Sequence, residues 1–227
     1  MDILLIGGLW LDASAWDAVV SDLEARGHRP VPVALPGQGD GSASATLDDQ
    51  VAAVLAAVDA ADKPLVAGHS AACTLAWLAA DARADAVSEI VLIGGMPGND
   101  GEPYADFFEV EDGVMPFPGW GEFDGPDSAD LDERAKASFA AHAVPVPEGV
   151  SRGVVRLADE RRFDVPVTLV CPEFTSAQAK EWLAAGQMPE LARARRLDYV
   201  DIDSGHWPMF TKPAELAGIL ARIADGV

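Results

Sequence analysis

The chemistry of this chain begins at Gly68-His69-Ser70-Ala71-Ala72, which directly follows the apolar run Leu65-Val66-Ala67. A serine hydroxyl is a poor nucleophile unless the backbone projects it from a sharp turn beside a base. Small residues two before and two after the serine let a strand and a helix approach closely enough to make that turn. The run before it reads as buried strand, and the alanine-rich run after it, residues 71–80, as helix. Ala72 stands where such a turn usually has its second glycine and needs only slightly more room. Four histidines are available as the base. His69 lies inside the turn, with its side chain expected to point away from the serine. His28 follows a helix-ending glycine and reads as a surface residue, and His142 lies among alanines in a long central insertion. His206, in Ser204-Gly205-His206-Trp207-Pro208, falls in the loop between the last strand and the last helix. That loop belongs to the same edge of a parallel sheet as Ser70. His206 is therefore the residue expected to accept the serine proton and return it to a leaving group.

Holding these two residues together requires strands that alternate with helices. Strands are predicted at residues 2–6, 30–35, 65–67, 89–93, 165–171 and 197–202. Trp16, Val19, Val20 and Leu23 follow helical spacing up to Gly27, a natural left-handed stop. Thr46 with Asp49 has the form of a capping box for a helix running to about residue 60. Ser176 is the expected cap of a helix that stops near Gly186. Leu216, Ile219, Leu220 and Ile223 form the apolar stripe of a last helix beginning near Lys212-Pro213. Continuous apolar strands call for a parallel sheet covered on both faces, so the fold class is α/β, doubly wound. The alternation breaks once, over residues 97–163. That segment carries Phe107, Phe108, Met115, Phe117, Trp120 and Phe123 among acidic residues and prolines. It is too long for a simple crossover and too apolar for a disordered linker. It is expected to form a lid over the carboxyl ends of the strands, leaving residues 1–96 and 164–227 as the core.

The length of 227 residues fits one domain with a full core. Sixteen basic against 37 acidic residues leave a formal charge of −21, which argues against a nucleic acid or an anionic membrane as partner. Cys73 and Cys171 sit in apolar stretches and read as buried core residues without metal-ligand spacing. Neither a signal peptide nor a spanning segment is evident, so a cytoplasmic location is expected. No metal or organic cofactor is implied, and the expected partner is a small-molecule substrate. The oligomeric state is not readable from the sequence.

Three segments together resemble the α/β-hydrolase family: Gly7-Gly8-Leu9-Trp10 after the first strand, the serine turn, and the His206 loop. Through Gly8-Leu9-Trp10 and the downstream Trp16 the chain most resembles the small esterase and hydroxynitrile-lyase-like branch. The resemblance spans nearly everything but the insertion. It implies a trimmed, mainly parallel six-stranded sheet with the insertion after the fourth strand. It also implies an oxyanion hole built from the N–H groups of Leu9 and Ala71, and an acid in the loop after the fifth strand. That loop reads Cys171-Pro172-Glu173-Phe174-Thr175-Ser176, and Glu173 is its one carboxylate, although Phe174 stands about where related enzymes have an aspartate. Asp100, beyond Gly94-Gly95, is the alternative acid, and a serine–histidine dyad a third arrangement. Trp10, Phe107, Phe108, Trp120 and Trp207 are candidates for an apolar substrate pocket. The implied activity is a serine hydrolase of the carboxylesterase or lactonase type, acting on neutral, moderately hydrophobic esters or lactones through an acyl-serine. A lyase or cyclase using the pair for proton transfer, or a catalytically silent small-molecule binder, are the competing readings. A haloalkane dehalogenase is excluded, because it needs a carboxylate where Ser70 stands.

Overall fold

The computed structural model describes residues 1–226. Its first half alternates strictly: β1 (Asp2–Ile6), α1 (Asp17–Ala25), β2 (Arg29–Pro32), α2 (Leu47–Asp59), β3 (Leu65–His69), α3 (Cys73–Arg83) and β4 (Glu89–Ile93). A long segment follows with only short elements: β5 (Val114–Met115), α4 (Glu133–His142), β6 (Val146–Pro147) and α5 (Glu148–Ser151). The alternation then resumes with β7 (Val167–Cys171), α6 (Ser176–Ala184), β8 (Leu197–Asp201), α7 (Pro208–Thr211) and α8 (Pro213–Asp225). Six strands form one parallel sheet in the order β2-β1-β3-β4-β7-β8. Among the described residues no helix is long and apolar enough to cross a membrane.

Successive strand residues face opposite sides of a sheet, and the core divides accordingly. Leu4, Ile6, Val66, Leu92 and Leu169 pack on one side with buried residues of α2 and α3. Ile3, Leu5, Leu65, Val91, Ile93 and Val170 pack on the other with α1 and α8. Tyr104, Ala105, Met115, Val146 and Val150 of the long segment join the first of these clusters. The chain winds outward from β1 to β2 and then returns to place β3 on the other side of β1. The carboxyl ends of β1 and β3 therefore flank the point where the winding reverses, the usual ligand crevice of an open α/β sheet.

The expected strand at residues 30–35 is shorter, Arg29–Pro32. It is an edge strand in which Arg29 and Val33 donate to the carbonyls of Met1 and Leu5, so Pro30 and Pro32, which lack N–H groups, fall between the donors. The expected cap Ser176 is also displaced. Thr175 caps α6 in a reciprocal box with Gln178, and Ser176 instead bonds Asp201 through its N–H and hydroxyl at 2.6 and 2.9 Å. The Thr46–Asp49 capping box and the left-handed Gly27 are as expected, the latter at φ +87°. Before the last helix stands the additional turn α7.

Candidate active site

β3 runs straight into Ser70, which begins a single 3-10 turn, Ser70–Ala72, before α3. Ser70 has φ +55°, a left-handed conformation that costs a non-glycine residue about 1–3 kcal/mol. Three glycines make room for it. A Cβ on Gly68 would collide with the Ala72 carbonyl, where strand meets helix. A Cβ on Gly95, just past β4, would lie 2.5 Å from the Ser70 carbonyl oxygen. One on Gly8 would lie 3.0 Å from Ser70 Cβ. The register produces this convergence: Ile6 pairs with Gly68 and His69 with Ile93, so the loops after β1, β3 and β4 meet.

His206 reaches the same point from the loop after β8, and Glu173 from the loop after β7. His206 Nδ1 lies 2.7 Å from Glu173 Oε1, and His206 Nε2 lies 2.9 Å from Ser70 Oγ. A carboxylate only accepts, so Nδ1 carries the proton, and in the neutral ring Nε2 accepts from the serine hydroxyl. Glu173 Oε2 is buried beside Gly94, whose φ is +59°. Asp100, the alternative acid, is occupied elsewhere: its Oδ1 accepts from Leu157 N–H at 2.8 Å. Asp127 contributes a further carboxyl group to these surroundings. Burial raises its pKa; the proximity of His206 lowers it and that of Glu173 raises it.

Leu9 and Ala71 flank Ser70 on either side. Among the described residues the Leu9 N–H has no acceptor within the protein, and Ala71 is the second residue of the 3-10 turn that opens α3. The Gly8 carbonyl accepts from Leu11 N–H and from Gln38 Nε2, both at 3.4 Å. A trans peptide then directs Leu9 N–H the opposite way. Around the serine lies a pocket of about 170 Å³, walled by Leu9, Trp10, Phe107, Phe108, Phe123 and Trp207 together with His69 and His206. Trp10 has φ +63° and packs its indole 5.4–5.8 Å from Phe108, Phe117 and Phe123. Four of the five aromatic pocket candidates are there. Trp120 is not: its ring stands behind Trp207 at 5.3 Å, with its N–H bonded to the Lys136 carbonyl. Phe123, one of the insertion aromatics, is on the wall in its place.

The other three histidines occupy different surroundings. His69, expected to point away from the serine, packs against the His206 loop. It is 1 % exposed, its ring lies 4.9 Å from that of His206, and its Nε2–H donates to the His206 carbonyl at 2.7 Å. Burial and the neighbouring His206 push its pKa down to about 3, so the ring is neutral. One large polar side chain within an otherwise small-residue turn was the signal available in the sequence. His28 is not a surface residue: its ring is buried, 3.6 Å from Asp225 at the end of α8. His142 lies on α4 with Nδ1–H donating to the Ser138 carbonyl, and it lines a separate cleft of about 350 Å³. That cleft is the larger of the two, but neither Ser70 nor His206 borders it. Cys73 and Cys171 are buried and unpaired.

This sheet with this hydrogen-bonded trio at its switch point defines the α/β-hydrolase architecture. The chain belongs to the alpha/beta hydrolase family, whose profile its residues 3–219 match. It is 25 % identical over 252 residues to methylesterase 7 of Arabidopsis thaliana, covering 98 % of this chain and 95 % of that protein. Among solved structures, an extracellular α/β-hydrolase from a Paenibacillus species superposes with a TM-score of 0.78 at 17 % identity, over 98 % of each chain. Tomato methylketone synthase I does so with a TM-score of 0.76 at 18 % identity, over 99 % of this chain and 98 % of its own.

Proposed function

We propose that the protein is a serine hydrolase that cleaves neutral, moderately hydrophobic esters or lactones through an acyl-serine. One observation carries the reading: the unbroken chain Glu173–His206–Ser70, at 2.7 and 2.9 Å, ending at the apex of a strained turn. Ser70 Oγ attacks the substrate carbonyl carbon while His206 Nε2 takes its proton, and the Glu173 carboxylate stabilises the imidazolium. The carbonyl oxygen, now an oxyanion, accepts from Leu9 and Ala71 N–H, each donor contributing about 10²–10³ in rate. Collapse breaks the ester bond, and His206 protonates the departing alkoxide. Water then enters, gives its proton to His206 and attacks the acyl carbon; collapse of this second adduct expels Ser70 Oγ, which takes the proton back from His206 as the acid is released. The methylesterase name of the Arabidopsis relative agrees with this chemistry.

The pocket favours small substrates. About 170 Å³ is below the ~300–1,000 Å³ of ordinary ligand sites, so a short acyl or alcohol group fits best. No lysine or arginine lines it, and the charge of −21 repels anions. Residues 97–163 act as a lid in this reading. They supply Phe107, Phe108 and Phe123 to the wall, with Phe107 64 % exposed at the mouth. A short p-nitrophenyl ester, acid-quenched on the enzyme, should leave one acyl group on Ser70 by intact-protein mass spectrometry. Ser70→Ala should show none, lose turnover to near the uncatalysed rate and unfold at the wild-type temperature. The second reading, proton transfer by the same pair without an acyl-enzyme, draws support from the methylketone synthase neighbour. Turnover of the natural substrate with no adduct at any quench time selects it.

A further inference from the structure

The loop that carries His206 is tethered by groups from two distant parts of the chain. Gly205 N–H donates to Asp130 Oδ2 and His206 N–H to the Asp127 carbonyl, both at 2.8 Å. The His206 carbonyl accepts from His69 Nε2–H at 2.7 Å. Asp127 and Asp130 belong to the long segment between β4 and β7, and His69 is the residue before the serine. The contact is close, since a Cβ on Gly205 would collide with the Asp127 carbonyl and the Asp130 carboxylate. Both peptide groups flanking the His206 Cα are thus held from outside the loop. The imidazole itself swings on that Cα, with only Glu173 and Ser70 at its tips.

We propose that Asp130 and His69 are positioning residues for His206, and that the insertion must be seated on the core for the base to be aligned. The inference rests on the reading of Ser70 and His206 as the reacting pair. Misplacement of a catalytic group by about 1 Å costs on the order of 10²-fold in rate, so each tether has leverage: Asp130 does not border the pocket, and His69, whose ring is part of the pocket wall, holds the His206 carbonyl through Nε2–H. Asp127 acts through its backbone, which a side-chain change leaves in place. Asp130 and His69 act through side chains and are open to substitution. His69 suits its task because it is neutral: it keeps its N–H and sets no charge against an imidazolium at His206. The insertion is then more than a wall of the pocket, because whatever lifts Asp127 and Asp130 also releases the base.

The test uses the full chain with Asp130→Ala, Asp130→Asn, His69→Leu and His69→Gln, assayed on p-nitrophenyl acetate beside Ser70→Ala. Asp130→Ala removes an exposed side chain and should fold; it should lower kcat about 10-fold with KM within about twofold, as expected for one lost positioning bond. Asp130→Asn keeps an acceptor oxygen and should recover kcat to within about threefold. His69→Gln places an amide N–H near the lost Nε2–H and should retain more turnover than His69→Leu. A readout independent of turnover is the low-field proton resonance of His206 Nδ1–H, which should broaden or shift in Asp130→Ala and return in Asp130→Asn. Wild-type kcat and an unmoved resonance in both Asp130→Ala and His69→Leu would overturn the proposal. Full activity in Ser70→Ala sinks the hydrolase reading itself, whereas the resonance still reports whether the tethers hold the imidazole.

Discussion

Glu173 shows how a single side chain is chosen by its surroundings. A glutamate is one methylene longer than an aspartate, and its carboxylate must still stop 2.7 Å from His206 Nδ1. Gly94 provides the space. A Cβ there would lie 3.1 Å from Pro172 Cγ, 3.3 Å from Glu173 Oε2 and 3.4 Å from His206 Nδ1. Glu173→Gln keeps the shape and an acceptor oxygen but removes the charge opposite the imidazolium. It should lower kcat by about 10²–10⁴ with KM little changed, measured by steady-state hydrolysis of a short ester. Near-normal activity in that variant returns the site to a serine–histidine dyad.

At the scale of elements, the elbow and the caps respond to substitution in different ways. Gly95 lies at the end of β4 with the Ser70 backbone against it, and an added methyl must push the turn aside. Gly95→Ala should cost about 1–3 kcal/mol in urea unfolding and also slow fluorophosphonate labelling of Ser70, because the strain falls on the Ser70 backbone. Thr46 caps α2 through a reciprocal bond with Asp49 and does not border the pocket. Thr46→Ala should cost about 0.5–2 kcal/mol, read by the same unfolding curve, with the labelling rate unchanged. Stability and chemistry therefore separate at α2 and move together at the elbow.

For the molecule as a whole, acid is the informative stress. His69 has an unfolded pKa near ~6.5 and a folded value pushed down to about 3, chiefly by burial. Proton binding therefore favours the unfolded chain. No penalty exists above ~6.5, and stability falls as the pH drops from there toward 3. Asp2, Asp59, Asp159 and Glu160 are held below their ordinary values chiefly by bonds to Arg29, Arg83, Arg161 and Arg193. Their contribution is present above ~4 and is lost only as pH falls through the lower folded values. Asp127, raised by burial, works in the opposite direction in its own range. Urea midpoints should accordingly decline between pH 6.5 and 4 in the wild type. His69→Gln should flatten that part of the curve and leave the steeper loss below ~4 in place.

The sequence by itself determined the alternation of strand and helix, the small-residue turn around Ser70, and the edge of the sheet on which Ser70 and His206 both lie. These follow from patterns a few residues long, since apolar periodicity, caps and glycines act over one or two turns of chain. In a parallel sheet every loop after a strand opens on the same side, so placing two residues after two strands already places them near each other. Only the tertiary structure shows that Glu173, and not Asp100, lies against His206, because that contact depends on the missing Cβ of Gly94 and on Leu157 engaging Asp100. It also moved Trp120 behind Trp207, exchanged Ser176 for Thr175 as a cap, and turned His69 toward the His206 carbonyl. Each of these outcomes depends on atoms that meet across the fold, such as His69 with His206 or Asp130 with Gly205, and distances of that kind are set by packing and register, which no local pattern encodes.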